Sequence, residues 1–358
     1  MARVLLERVN EAVNRLSSNR PGINLMEVCG THTMAISSSG IRKAVDPRLR
    51  LVSGPGCPVC VTTPKEIDQA IALTQIPNTV VLTFGDMMRV PGSDGSLLEA
   101  KARGADVRVV YSPRDGLMMA QREPQKSFVL IGVGFETTAP TVAATVIEAR
   151  VRRIKNFSVL PLFKLIPPAL DFIASSPEIN IDGFILPGHV STVIGTQPYE
   201  FLVKRYRIPC CVTGFDTVDI LSGILILLHQ IESETPGVAN EYRRSVRQEG
   251  NPQAKGLMRR VFRKVTAEWR GIGRIKNSGL EFKHSFLQFD ARWKLPPKTQ
   301  NPKPKIQKSS CRCGEVMLGL IVPTDCPLFA RVCTPEKPFG PCMVSSEGAC
   351  AAYYKYER

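Results

Sequence analysis

The sequence predicts an α/β protein with two parallel-sheet α/β domains facing a cleft and a small cysteine-rich domain behind them. Three observations predict it. Short, apolar, β-branched segments alternate with helix-like segments through the first two-thirds of the chain, as in sheets covered on both faces. Several of these segments run straight into a glycine-containing turn, where parallel sheets carry their working loops. Six of the eleven cysteines fall between residue 311 and the end.

The elements follow in order. Residues 1–10 alternate charged and apolar side chains at helical spacing, so they read as an amphipathic helix rather than a secretory leader. Strands are predicted at 49–53, 79–84, 107–111, 128–132, 183–186 and 209–213, with helices near 64–74, 138–151 and 216–230. Glu123-Pro-Gln-Lys126 marks a joint near residue 125, which divides a first α/β domain (1–125) from a second (126–240). From 241 the chain reads as a basic helical segment, then a Pro/Lys-rich connector at 294–309, then the cysteine-rich unit to 358. That unit is expected to stand apart, stapled by metal.

Composition excludes several classes. A chain of 358 residues with 43% hydrophobic and 22% charged side chains is globular, neither disordered nor fibrous. The longest apolar run, 220–228, is broken by Ser222 and Gly223 and is too short to cross a bilayer. A cytoplasmic protein without a membrane partner is expected, and in a reducing compartment cysteines point to metal binding or redox work. The net charge of +15 concentrates between Arg243 and Lys308. It reads as a solvated basic face or a docking surface for an acidic partner. Sparse aromatics and the lack of a nucleic-acid motif favour a protein over a nucleic acid.

Three short motifs carry chemistry. Cys57-Pro-Val-Cys60 places two sulfurs where they can form a disulfide or share a metal. Thr63, Pro64 and Glu66 follow as a helix start with a capping box, so the pair sits just upstream of a helix N-terminus, which favours thiolate. Half of a zinc site is the plainer alternative, although no second C-x-x-C stands nearby. Cys29-Gly-Thr-His32 offers a nucleophile beside an imidazole or one soft metal ligand, against an inert core cysteine. In Gly134-Phe-Glu136-Thr-Thr138, Glu136 is a carboxylate expected to face the cleft, while the threonines cap a helix. Asp86 and His189 lie in similar turns and read as turn stabiliser and satisfied histidine.

The C-terminal cysteines give the strongest metal signal. Cys311, Cys313, Cys326, Cys333, Cys342 and Cys350 can supply four thiolates to a [4Fe–4S] cube and leave two spare, able to cycle between thiols and disulfide. Zinc ribbons prefer paired C-x-x-C knuckles, which this segment lacks. Cys210 and Cys211 lie in a predicted buried strand and read as core.

Together these motifs resemble the HypD family of hydrogenase maturation factors. The resemblance rests on Glu-Val-Cys29-Gly-Thr-His32-Thr, Gly-Pro-Gly-Cys57-Pro-Val-Cys60, Thr83-Phe-Gly-Asp86-Met-Met-Arg, Gly134-Phe-Glu136-Thr-Thr-Ala-Pro and Cys342-Met-Val-Ser-Ser-Glu-Gly-Ala-Cys350, in the family's order. Ala330 stands where the family pattern has glycine. The resemblance implies an accessory scaffold with redox activity more than a turnover enzyme. With the small partner HypC it would assemble the Fe(CN)2CO unit of [NiFe]-hydrogenases, HypE with HypF delivering cyanide. By the same resemblance Cys29 would hold iron, and His32 would orient or protonate nearby groups. Cys57 and Cys60 would form a redox dithiol. Cys311, Cys326, Cys333 and Cys350 would ligate the [4Fe–4S] cluster, with Cys313 and Cys342 as a spare redox pair. The competing reading is a free-standing iron–sulfur thiol-disulfide oxidoreductase. A basic iron–sulfur nucleic-acid protein is a third.

Overall fold

The computed structural model describes residues 1–18, 20–294 and 310–357. The connector predicted at 294–309 therefore lies, beyond Lys294, outside the described residues. Two all-parallel sheets form the body. The first runs in the order β2-β1-β7-β8-β9, with β1 at Ile23–Glu27, β2 at Leu49–Ser53, β7 at Gly183–Leu186, β8 at Cys210–Val212 and β9 at Val238–Asn240. The second runs β4-β3-β5-β6, with β3 at Thr79–Thr83, β4 at Val107–Val109, β5 at Ser127–Gly132 and β6 at Phe157–Pro161. Central strands such as β3 and β7 are buried at every residue, which is why their sequences read as continuous apolar runs.

The chain does not build the two units in series. It lays down β1 and β2, leaves to complete the second sheet, and returns with β7, whose Gly183 pairs with Leu25. The boundary expected near residue 125 falls inside the second sheet, because Thr79–Leu82 on β3 pairs with Ser127–Leu130 on β5. A hydrophobic strand seeks its neighbours in space, and no composition shift records that return.

The predicted helices appear at Ala2–Leu16, Pro64–Leu73, Ala139–Val151 and Thr217–Glu232. The Thr63/Glu66 capping box forms as read, with Thr63 N donating to Glu66 Oε2 at 2.8 Å. The segment expected to be helical from 241 is α-helical only over Pro252–Val261, among the described residues. It then becomes an antiparallel hairpin, β10 at Phe262–Trp269 and β11 at Gly273–Phe282. The two ends of β10, Phe262 and Trp269, are buried while Arg263, Lys264, Thr266 and Glu268 between them face out. A bulge between Val265 and Ala267 shifts the register and leaves Asn277 at φ +55°.

The cysteine-rich segment does not stand apart. Met317, Cys342, Met343 and Val344 share one apolar core with Met26, Val52 and Cys60. Arg42, just beyond the helix Gly30–Ser38, pairs with Glu357 at 3.0 Å and lies over the Tyr353 ring, fastening the last helix, Ala349–Tyr356. Among the described residues no helix is long and apolar enough to cross a membrane.

Candidate functional site

In an open parallel sheet the crevice forms where strand order reverses, beyond the carboxyl ends. In the first sheet that point lies between β1 and β7; in the second it lies between β3 and β5. Cys29 follows β1, His189 follows β7, Asp86 follows β3 and Glu136 follows β5. Cys57 follows the neighbouring β2.

Cys29 is the N-cap of the helix Gly30–Ser38. The helix-start amides of Thr31 and His32 favour its thiolate, as a helix N-terminus does for an anion. Burial and the nearby Glu347 carboxylate outweigh them and push the thiol up to about 12. Cys29 is thus a neutral thiol. Glu27, at the end of β1, accepts from Thr33 Oγ1 at 2.6 Å and from Cys29 N at 3.2 Å, which fixes the turn. Burial raises its carboxyl to about 7. The sequence reading gave Glu27 no role, although it opens the motif that contains Cys29.

His32 is oriented from β8. Its Nε2 donates to the Gly214 carbonyl at 2.8 Å and lies 2.9 Å from Thr213 Oγ1. A carbonyl only accepts, so Nε2 carries the proton, and Nδ1 is left buried without a partner. Burial depresses the imidazole to about 4, so it is neutral, with a free acceptor rather than a proton to give. Phe215 packs between His32 and His189, with ring centroids 4.7 and 4.1 Å away.

Cys57 and Cys60 are joined as a disulfide, with Cα atoms 5.2 Å apart. The C-terminal loop between Cys342 and Cys350 closes over this pair and over Cys29. Ser345 Oγ lies 3.4 Å from Cys57 Sγ. Thr31 Oγ1 donates to Glu347 Oε1 at 2.9 Å. Asp86 Oδ2 accepts from Ser345 Oγ, Ser346 N and Ser346 Oγ at 3.1, 2.9 and 2.8 Å. Asp86 therefore anchors the loop rather than merely stabilising its own turn. Two glycines permit the approach. A Cβ on Gly56 would collide with the Cys29 backbone, and one on Gly30 with Glu347.

All six C-terminal cysteines line one small cavity with Val316, Phe329 and Met343. Among the described residues no three His, Cys, Asp or Glu side chains converge as on a single ion. Soft thiols spread around a common wall suit a multi-iron cluster, whose ligands stand apart. Cys313 and Cys342 touch through a sulfur hydrogen bond, and so do Cys311 and Cys313. Cys210 and Cys211 are buried in β8, as read.

Glu136 departs from expectation. Its carboxylate accepts the Ile166 amide at 3.1 and 3.3 Å and lines a different cavity, whose wall includes neither Cys29 nor Cys57.

The HypD family model, described as "Hydrogenase formation hypA family", matches residues 2–357. The chain belongs to the HypD family. Among curated HypD relatives, "Hydrogenase maturation factor HypD" of Cupriavidus necator is 45% identical over 349 residues, covering 95% of this chain and 91% of that protein. The Escherichia coli K12 HypD protein is 42% identical over 357 residues, covering 99% and 95%. "Hydrogenase expression/formation protein HupD" of Azotobacter chroococcum is 43% identical over 343 residues, covering 93% and 89%. As a HypD protein, the chain is a hydrogenase maturation factor.

Proposed function

We propose that this chain is the scaffold on which, with HypC, an iron carrying cyanide and CO is assembled for a [NiFe]-hydrogenase. One observation carries the reading: a single loop, Ser345–Gly348, spans from the cysteine-lined cavity to both Cys57 and the Cys29 turn. Cys29 holds the iron as cargo, its thiolate favoured by the cation and by the helix amides. Neutral His32 keeps an acceptor nitrogen buried near that turn and positions its neighbours rather than donating a proton. Cys57 and Cys60 exchange two electrons and two protons between disulfide and dithiol. Four of Cys311, Cys313, Cys326, Cys333, Cys342 and Cys350 hold a [4Fe–4S] cluster, which supplies single-electron chemistry when bound. Cyanide arrives through HypE with HypF.

The test is an infrared spectrum of the protein co-expressed with HypC and purified without oxygen. Cyanide and carbonyl stretching bands that vanish in Cys29→Ala are expected. Bands absent from the parent, with HypC bound and turnover of a generic disulfide through Cys57/Cys60, would replace the scaffold with a free-standing thiol oxidoreductase.

A further inference from the structure

We propose that the cavity beside Glu136 is a binding site for a small organic anion, a carboxylate or phosphate attached to an apolar body. The cavity measures about 790 Å³ and lies between the helix Ile166–Ser175, the helix Pro252–Val261 and the β10–β11 hairpin. That volume is within the range of small-molecule sites, about 300–1,000 Å³, and exceeds what one inserted side chain would fill. It opens where the helices of the first sheet, through Ile194 and Phe201, meet the loop after β6, a usual place for ligand pockets.

Its wall has two characters. Leu165, Pro167, Met258, Phe262 and Leu280 give an apolar floor able to desolvate an aliphatic or aromatic group. The rim carries Arg259 and Lys276, neither with a side-chain ion pair or hydrogen bond among the described residues, beside Lys264, whose charge acts on buried Glu136. Acidic groups do not balance them. Asp171 is already paired with Arg205 at 2.8 Å, and the Glu136 carboxyl, raised to about 7 by burial, keeps its proton through mildly acidic pH. The hairpin bulge places Lys276 and Asn277 on this rim, and bulges commonly re-aim side chains beside binding sites. Unpartnered cations around an apolar floor favour a ligand with a charged head and a dry body. The inference is independent of the iron-scaffold reading, since the cavity shares no residue with the Cys29 turn.

The probe is 8-anilinonaphthalene-1-sulfonate, an anion with an aromatic body, titrated into the full-length protein. One saturable site is expected, displaced by phenyl phosphate and octanoate but not by phenyltrimethylammonium or inorganic phosphate at equal concentration. Arg259 and Lys276 are exposed, so R259E/K276E should fold normally and bind about tenfold or more weakly, as expected for a lost charge-assisted contact. Met258→Trp, which fills the floor, should weaken binding without a change in rim charge. Unchanged affinity in both variants overturns the site. Displacement by an acidic aromatic peptide but not by phenyl phosphate overturns the small-molecule assignment in favour of protein docking.

Discussion

At Glu136, burial separates the folded and unfolded chain by protonation. The carboxyl sits at about 7 against an ordinary 4.5, so between these values the folded form keeps a proton that the unfolded form has released. Its contribution to stability therefore falls as pH rises through that window. Glu136→Gln keeps an acceptor for the Ile166 amide and removes the titration. It should gain on the parent between pH 5 and 8, by up to ~3 kcal/mol in urea unfolding. An equal difference at both pH values would mean that the carboxyl is hydrated. His32 runs the other way: held at about 4 against 6.5, it contributes stability that is lost as pH falls through that range. Ala330 sits at φ +56°, a region that favours glycine, so the glycine expected at this position has a backbone reason. Ala330→Gly should raise stability by ~1 kcal/mol, read as a higher melting temperature. Cys29 and Cys57 were legible because each lies beside a glycine just after a strand. Glu27, Glu347 and the true role of Asp86 were not, since the Asp86–Ser346 contact spans 260 residues and no local pattern encodes it.

Among elements, the predicted strands were short, mostly apolar segments. β1 was missed because Asn24 and Glu27 interrupt it: Asn24 N satisfies Asp182 and Glu27 serves the Cys29 turn. Ser158 and Pro161 hid β6, and alternating charge hid the hairpin. That hairpin is fastened to the site's loops, with Trp269 stacked on Phe135 and Arg270 N bonded to the Val61 carbonyl at 2.9 Å. The C-terminal loop is held mainly by Asp86. Asp86→Ala should release it at a cost of ~2–3 kcal/mol, seen as faster amide exchange at Ser346 and Glu347 with β3 unchanged. Gly30→Ala should free the same loop by overpacking, costing ~1–3 kcal/mol, and slow exchange at Glu347 in that variant would contradict the close approach.

Across the whole molecule, the two sheets differ in how far apart their strands lie in sequence. β3 to β6 are consecutive, whereas β1 must find β7 across the intervening sheet. Loop closure penalises the distant pairing. In pulse-labelled refolding, amides of β3 and β5 should be protected before those of β1, and simultaneous protection would argue for one cooperative nucleus. A growing chain meets the same order in time. Asn24 is made 158 residues before Asp182, roughly 8–30 s at usual elongation rates. The loop bearing Glu347 is made later still. Until it arrives, Cys29 is an open thiol on an unfinished sheet, within reach of oxidants and stray metals that the folded protein shuts out. Vulnerability to both should peak on the ribosome rather than in the mature protein.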